Sequence, residues 1–214
     1  LLFDLDNTLL DFDATEKYAL RQALKRIDIS YKEEHLKVYE KINRVCWEAF
    51  ENGTMPQKAI NETRFNKFLQ VLQRPEINAH DFGSYYLSQL ADGEFLLDGA
   101  IDLLEKYKTT HQLGIVTNGL KEVQRPKLKK NKLTEYFEVI VVSDEIGVAK
   151  PHQEFFDFTF KQMKFPPKEK VLIIGDSLNS DIKGGLNYGI DTCWHNLKQK
   201  INTTSIKPTY EITT

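Results

Sequence analysis

Leu1-Leu2-Phe3-Asp4-Leu5-Asp6 opens the chain, and the fold is decided by how this stretch is read. Its apolar residues run on without strict alternation and end in two acids. A strand of that kind is covered on both faces, as in a parallel sheet; a half-exposed strand would alternate. Three later stretches repeat the pattern: 113–117 ending in Asn118-Gly119, 139–142, and 171–174 ending at Gly175-Asp176. A last strand is predicted over 190–194. Helical spacing fills the gaps at 100–108, 153–163 and 178–188, with Gly189 placed to end the third helix. Helix–strand alternation of this order predicts an α/β fold, a Rossmann-like doubly wound parallel sheet with right-handed crossovers.

One interval does not fit a simple crossover. About a dozen residues suffice to return a chain to a parallel neighbour, yet roughly eighty separate the first strand from Asp98. Four helical segments occupy them. Ala14, Tyr18, Leu20, Leu24 and Ile27 mark the first, and Leu36, Tyr39, Ile42, Cys46 and Phe50 the second. The third starts near Pro56 and carries Ile60, Phe65, Phe68 and Leu69; a weaker fourth covers 79–90. The expected organisation is therefore a discontinuous α/β core domain, 1–12 and 95–214, with an all-helical domain inserted at 13–94. Hinges are expected at 11–13 and 92–97.

Composition narrows the function classes. Among 214 residues, 29 Lys and Arg face 31 Asp and Glu, so the chain lacks the basic field of a non-specific nucleic-acid binder. At 41% hydrophobic it can bury a core, and no apolar run approaches the roughly 20 residues that cross a bilayer. Cys46 and Cys193 show no ligand spacing, and the five histidines share none. A cytoplasmic protein acting on a small molecule is expected, with neither nucleic acid nor membrane as partner; the sequence says nothing of oligomeric state. A start at Leu1 rather than Met predicts that residues precede it, and leaves a removed leader open. Pro126 interrupts the helical stretch 121–131, which either kinks or starts there. The bases around it, Lys127 among them, read as a solvated helix face.

In open parallel sheets, functional groups gather beyond the carboxyl ends of the strands. Here those ends carry Asp4 and Asp6, then Thr117 and Asn118, then Lys150 on a loop, then Asp176 and Asp181. Each piece has a bland reading: Asp-x-Asp occurs in many loops, Thr-Asn-Gly is a turn, Gly-Asp-Ser caps a helix. Together they describe one chemistry. Two carboxylates one residue apart can divide labour between nucleophile and proton carrier. Four converging acids need more compensation than one lysine supplies, and a hard divalent ion, Mg²⁺ or Mn²⁺ in its place, would supply it. A metal, a lysine, a hydroxyl and a carboxylate nucleophile suit phosphoryl transfer.

Asp4-Leu5-Asp6-Asn7-Thr8, Val116-Thr117-Asn118-Gly119, Lys150-Pro151 and Gly175-Asp176-Ser177 through Asp181 resemble the four ordered motifs of the haloacid dehalogenase superfamily. The resemblance spans the chain, the inserted helices lying where that superfamily carries helical caps. It implies that Asp4 is the nucleophile, forming a phosphoaspartate, and that Asp6 protonates the leaving oxygen and then activates water. It implies further that Thr117 and Lys150 hold the phosphoryl group, with Lys150 also close to Asp4; the Asn118 amide reads as a second oxyanion donor. Mg²⁺ would be bound by Asp4, the Asp6 carbonyl and Asp176, with Asp181 behind them. The superfamily's sheet order would set strand one between the second and fourth strands.

Asp6 argues for a phosphatase over a dehalogenase, because a halide leaves without a proton. The stretches Trp47 to Gly53 and Asn61 to Phe65 are similar to those of bacterial pyrimidine 5′-nucleotidases, which implies a pyrimidine nucleoside monophosphate as substrate. Trp47 and Arg64 are the candidate substrate contacts, Arg64 equally readable as a surface ion pair. A phosphatase for a small sugar or organic-acid phosphate is the alternative. A receiver-like or non-catalytic phosphate-binding module is the remote one.

Overall fold

In the computed structural model, which describes residues 1–213, the chain divides into two compact units, 1–12 with 94–214, and 13–93. The first is built on β1 (Leu2–Phe3), β2 (Gly114–Thr117), β3 (Val139–Val142), β4 (Leu172–Gly175), β5 (Asp191–His195) and β6 (Tyr210–Ile212). Their order is β3-β2-β1-β4-β5-β6, every pairing parallel. β1 thus lies between β2 and β4, at the point where the order reverses and ligands of such sheets bind.

β1 is only two residues long, and each of them enters a different core. Leu2 packs with Val116, Ile173, Phe155 and Phe156 on one face; Phe3 packs with Ile115, Leu104, Leu128 and Phe137 on the other. The strand is central because both side chains, 0% and 2% exposed, must leave water in opposite directions. The covering helices are α5 (Ala100–Tyr107), α6 (Lys121–Lys130), α8 (Gln153–Gln162) and α9 (Lys183–Tyr188), with the short α7 (Ser143–Ile146) after β3.

Four local expectations are corrected. The strand over 190–194 is not the last: β6 pairs with Cys193 to His195, and its exposed Tyr-Glu-Ile offers no apolar run to be read. α6 does not begin at Pro126, one of the two readings; it starts at Lys121 and carries the proline inside. The stretch 178–188 is a π turn, Leu178–Ile182, leading into α9, rather than one helix. Lys127 is 1% exposed, so it does not belong to a solvated face.

The second unit holds α1 (Phe12–Arg26), α2 (Glu33–Glu51), α3 (Gln57–Val71) and α4 (Ala79–Ala91). Asn78 caps α4 by accepting from the Asp81 N–H at 3.0 Å. Tyr39, Phe65, Phe82 and Tyr86 form its aromatic centre, Tyr39 stacked on Phe65 at 5.5 Å. A polar chain runs through it: Asn43 donates to Glu16 at 3.1 Å, and Arg64 donates to Asn43 at 2.8 Å and Asn61 at 3.0 Å.

Burial pushes the Glu16 carboxyl up to about 7 against the pull of Arg64. The folded chain therefore holds this proton more tightly than the unfolded chain. Stability is full below the unfolded carboxyl range and falls as pH rises towards 7, by about 3 kcal/mol in all. Glu16→Gln, which keeps the acceptor for Asn43, should flatten that dependence. Urea midpoints should coincide with wild type at pH 4 and lie above it at pH 8; a lower midpoint at pH 8 would reverse the sign.

Candidate active site

Asp4 follows β1 directly, its N–H bonded to the Ile174 carbonyl of β4 at 2.9 Å. The chain then turns sharply. The N–H groups of Leu9 and Leu10 both return to the Leu5 carbonyl at 3.0 Å, and Asn7 adopts a positive φ of 59°, which asparagine tolerates. The Asn7 side chain accepts from the Phe12 N–H at 3.1 Å and closes the loop. That turn fixes where the second acid, Asp6, is presented.

Lys150 reaches the Asp4 carboxylate at 2.8 Å, Asp181 at 2.6 Å and the Val116 carbonyl at 2.5 Å. An ammonium has three N–H donors, and all three are used. In this arrangement Lys150 orients Asp4 and Asp181, and it lies beside Asp4 as the resemblance implied. Asn118 serves the lysine loop. Its side chain donates to the Lys150 carbonyl and accepts from the Lys150 N–H, both at 2.9 Å, so it staples the end of β2 to the lysine loop. The Lys150-Pro151 peptide is cis.

Asp176 and Asp181 come from the end of β4 and the π turn after it. Ser177 caps that turn, accepting from the Ser180 N–H at 3.2 Å, while its own N–H donates to Asp181 at 3.1 Å. Gly175 is required here: a methyl group on it would lie 2.6 Å from the Asp181 Cβ. Carboxylate oxygens of Asp4, Asp176 and Asp181 lie within 4.8 Å of one another.

Three carboxylates, Asp4 and Asp181 buried and Asp176 half-buried, leave surplus negative charge beside one ammonium. Burial raises Asp4 well above the ordinary carboxylate range, with Asp181 and Asp176 adding to it against Lys150. Asp176 is pushed up to about 7 by burial and by Asp181. Burial works against the Lys150 ammonium, but Asp181 and Asp4 outweigh it and keep the lysine charged. An all-oxygen donor set short of positive charge suits a hard divalent cation, so these residues fit Mg²⁺.

Asp6 stands apart from this cluster. Its carboxylate accepts from Lys127 Nζ and from Gln124 Nε2, both at 2.8 Å. Gln124 Nε2 also donates to the Thr117 hydroxyl at 2.7 Å. The sequence reading missed both α6 residues. A signal existed: Gln124 and Lys127 lie one helical turn from Leu128 and Val123 respectively, on the buried face of α6. The surrounding surface bases concealed it.

Trp47 and Arg64 both belong to the helical unit. Trp47 is half-buried, edge-on to Phe50 at 5.8 Å. Arg64 is 3% exposed, so it is no surface ion pair, and its guanidinium is engaged within the polar chain described above.

Comparison with known proteins agrees with this geometry. Residues 1–195 match the haloacid dehalogenase-like hydrolase family. YfnB of Bacillus subtilis, described as a HAD-hydrolase, is 40% identical over 99% of this chain and 90% of its own. Its crystal structure, bound to magnesium and described as revealing interdomain movement, covers 99% of this chain and 92% of its own with a TM-score of 0.93. The pyrimidine 5′-nucleotidases PynA of Streptococcus pneumoniae and YjjG of Escherichia coli are 36% and 30% identical. Each matches 99% of this chain, and 90% and 92% of its own length respectively. With the four strand-end motifs gathered in one α/β unit and the match running nearly end to end, the chain belongs to the haloacid dehalogenase-like hydrolase family.

Proposed function

We propose that this hydrolase is a Mg²⁺-dependent phosphomonoesterase acting through an aspartyl phosphate on pyrimidine nucleoside 5′-monophosphates. The observation that carries the reaction is the gathering of Asp4, Asp176 and Asp181 around Lys150, with a second acid, Asp6, held nearby. The substrate class rests on the two pyrimidine 5′-nucleotidases that match nearly the whole chain.

A free oxygen of Asp4 attacks phosphorus, and the ester P–O bond breaks as the leaving oxygen takes a proton from Asp6. Water then attacks the phosphoaspartate, giving a proton back to Asp6, and the bond to Asp4 breaks to release phosphate. Lys150 keeps Asp4 aimed. Thr117, at the end of β2, offers its hydroxyl to the phosphoryl oxygens. Asp4, the Asp6 carbonyl and Asp176 would hold Mg²⁺, with Asp181 behind them; the ion supplies charge neutralisation for the phosphoryl group. The helical unit, 13–94, serves as a cap that selects the ester, Trp47 and Arg64 shaping it from within, with hinges at 11–13 and 92–97. The interdomain movement described for YfnB supports such a cap.

The test is phosphate release with Mg²⁺ or EDTA across nucleoside monophosphates and small metabolite phosphates. Metal-dependent release from UMP, dUMP and dTMP, at least about tenfold above purine nucleotides, is expected. Release only from sugar or organic-acid phosphates would keep the chemistry and overturn the substrate. Absence of release from every ester would overturn both.

A further inference from the structure

Lys127 is buried, and its ammonium ends on the carboxylate of Asp6. Stability gives no reason for that choice. Desolvating a lysine costs several kcal/mol, and an apolar residue in the same space is often as good or better. Gln124 is equally costly. Its Nε2 serves both Asp6 and Thr117, while its buried Oε1 has no hydrogen-bond partner. An orphaned buried acceptor costs about 1–3 kcal/mol. The reverse orientation would set that carbonyl against the Asp6 carboxylate. Gly119 makes room for this side chain, since a methyl there would lie 2.6 Å from Gln124 Cγ. Phe12, its ring 5.0 Å from Lys127 Nζ, covers the lysine.

We propose that Lys127 and Gln124 are positioning residues that hold the Asp6 carboxyl in place for proton transfer, Gln124 tying it to Thr117. The inference rests on the reading of Asp6 as acid and base. Asp6 follows a two-residue strand and sits in a tight turn, with its side chain about one-quarter exposed, so the backbone alone does not dictate its rotamer. Two donors from α6, one on each carboxylate oxygen, do.

The experiment compares kcat/KM for an alkyl phosphate and for 4-nitrophenyl phosphate. This ratio reports steps up to departure of the alcohol, where only the alkyl oxygen needs a proton. Lys127→Met, which keeps an unbranched chain under Phe12, should lower the alkyl value about 10²-fold and the nitrophenyl value by less than about threefold. Because Asp6 also serves the second step, a burst of nitrophenol should appear. Gln124→Met and Gly119→Ala, which disturb the same contact from other positions, should show the same selectivity with a smaller loss of about tenfold.

Equal losses on both esters, or none, would overturn the positioning role while the phosphatase reading stands. A wild-type protein inert towards both esters would remove the phosphatase reading, and this inference with it.

Discussion

Asp4→Asn should abolish turnover, by about 10⁴-fold or more, while leaving the chain folded and more stable than wild type without divalent ions. The two effects have one cause. Burial drives the Asp4 carboxyl well above its ordinary range, with its neighbours Asp181 and Asp176 adding to it. Its proton is held more tightly in the folded state, so its contribution to stability is present at low pH and lost as pH rises through the folded value. An amide removes that penalty, and Lys150 keeps Asp181 and the Val116 carbonyl. Phosphate release and thermal melts at pH 5 and pH 8 decide it. Turnover within about tenfold of wild type would overturn the nucleophile assignment, and a lower melting temperature at pH 8 would overturn the electrostatic account.

Lys150→Met carries the second large effect, opposite in sign for stability. It removes the ammonium from a group of three carboxylates, two of them buried, and from the Val116 carbonyl. Removing one partner of a buried ion pair costs about 3–5 kcal/mol. Activity should fall about 10³-fold, because Asp4 loses the group that aims it. Stability should return partly at pH 5, below the value of about 7 to which Asp176 is pushed, and partly with millimolar Mg²⁺ by mass action. Urea midpoints with and without Mg²⁺ measure both. A variant as stable as wild type at pH 8 without metal would mean that the three acids do not share a deficit of positive charge.

Much of this architecture was legible in the chain because the physics is local. Continuous apolar residues ending in acids can only be a strand buried on both faces, and Leu2 and Phe3 enter opposite cores as that requires. An interval too long for a crossover, filled with helical spacing, reads as an inserted unit, and residues 13–93 form a compact unit of their own. β6 was not legible, since an exposed three-residue edge strand buries too little to leave a pattern.

Asp4, Asp6, Thr117, Lys150, Asp176 and Asp181 could be listed as candidates from the sequence because strand ends collect polar groups in order. Their division of labour depends on which side chains actually meet, over separations no periodicity reports. Lys127 and Gln124 reach Asp6 across 121 and 118 residues, and only the packing of α6 brings them there. Asn118, readable as an oxyanion donor, also staples the lysine loop to β2; Arg64, readable as a surface ion pair, is enclosed. Sequence determined the inner strands of the sheet, the long helical interval and the acids, because burial and chain length act along the chain. Tertiary structure decided which cation serves which acid, because a charge taken from water must find its partner in space.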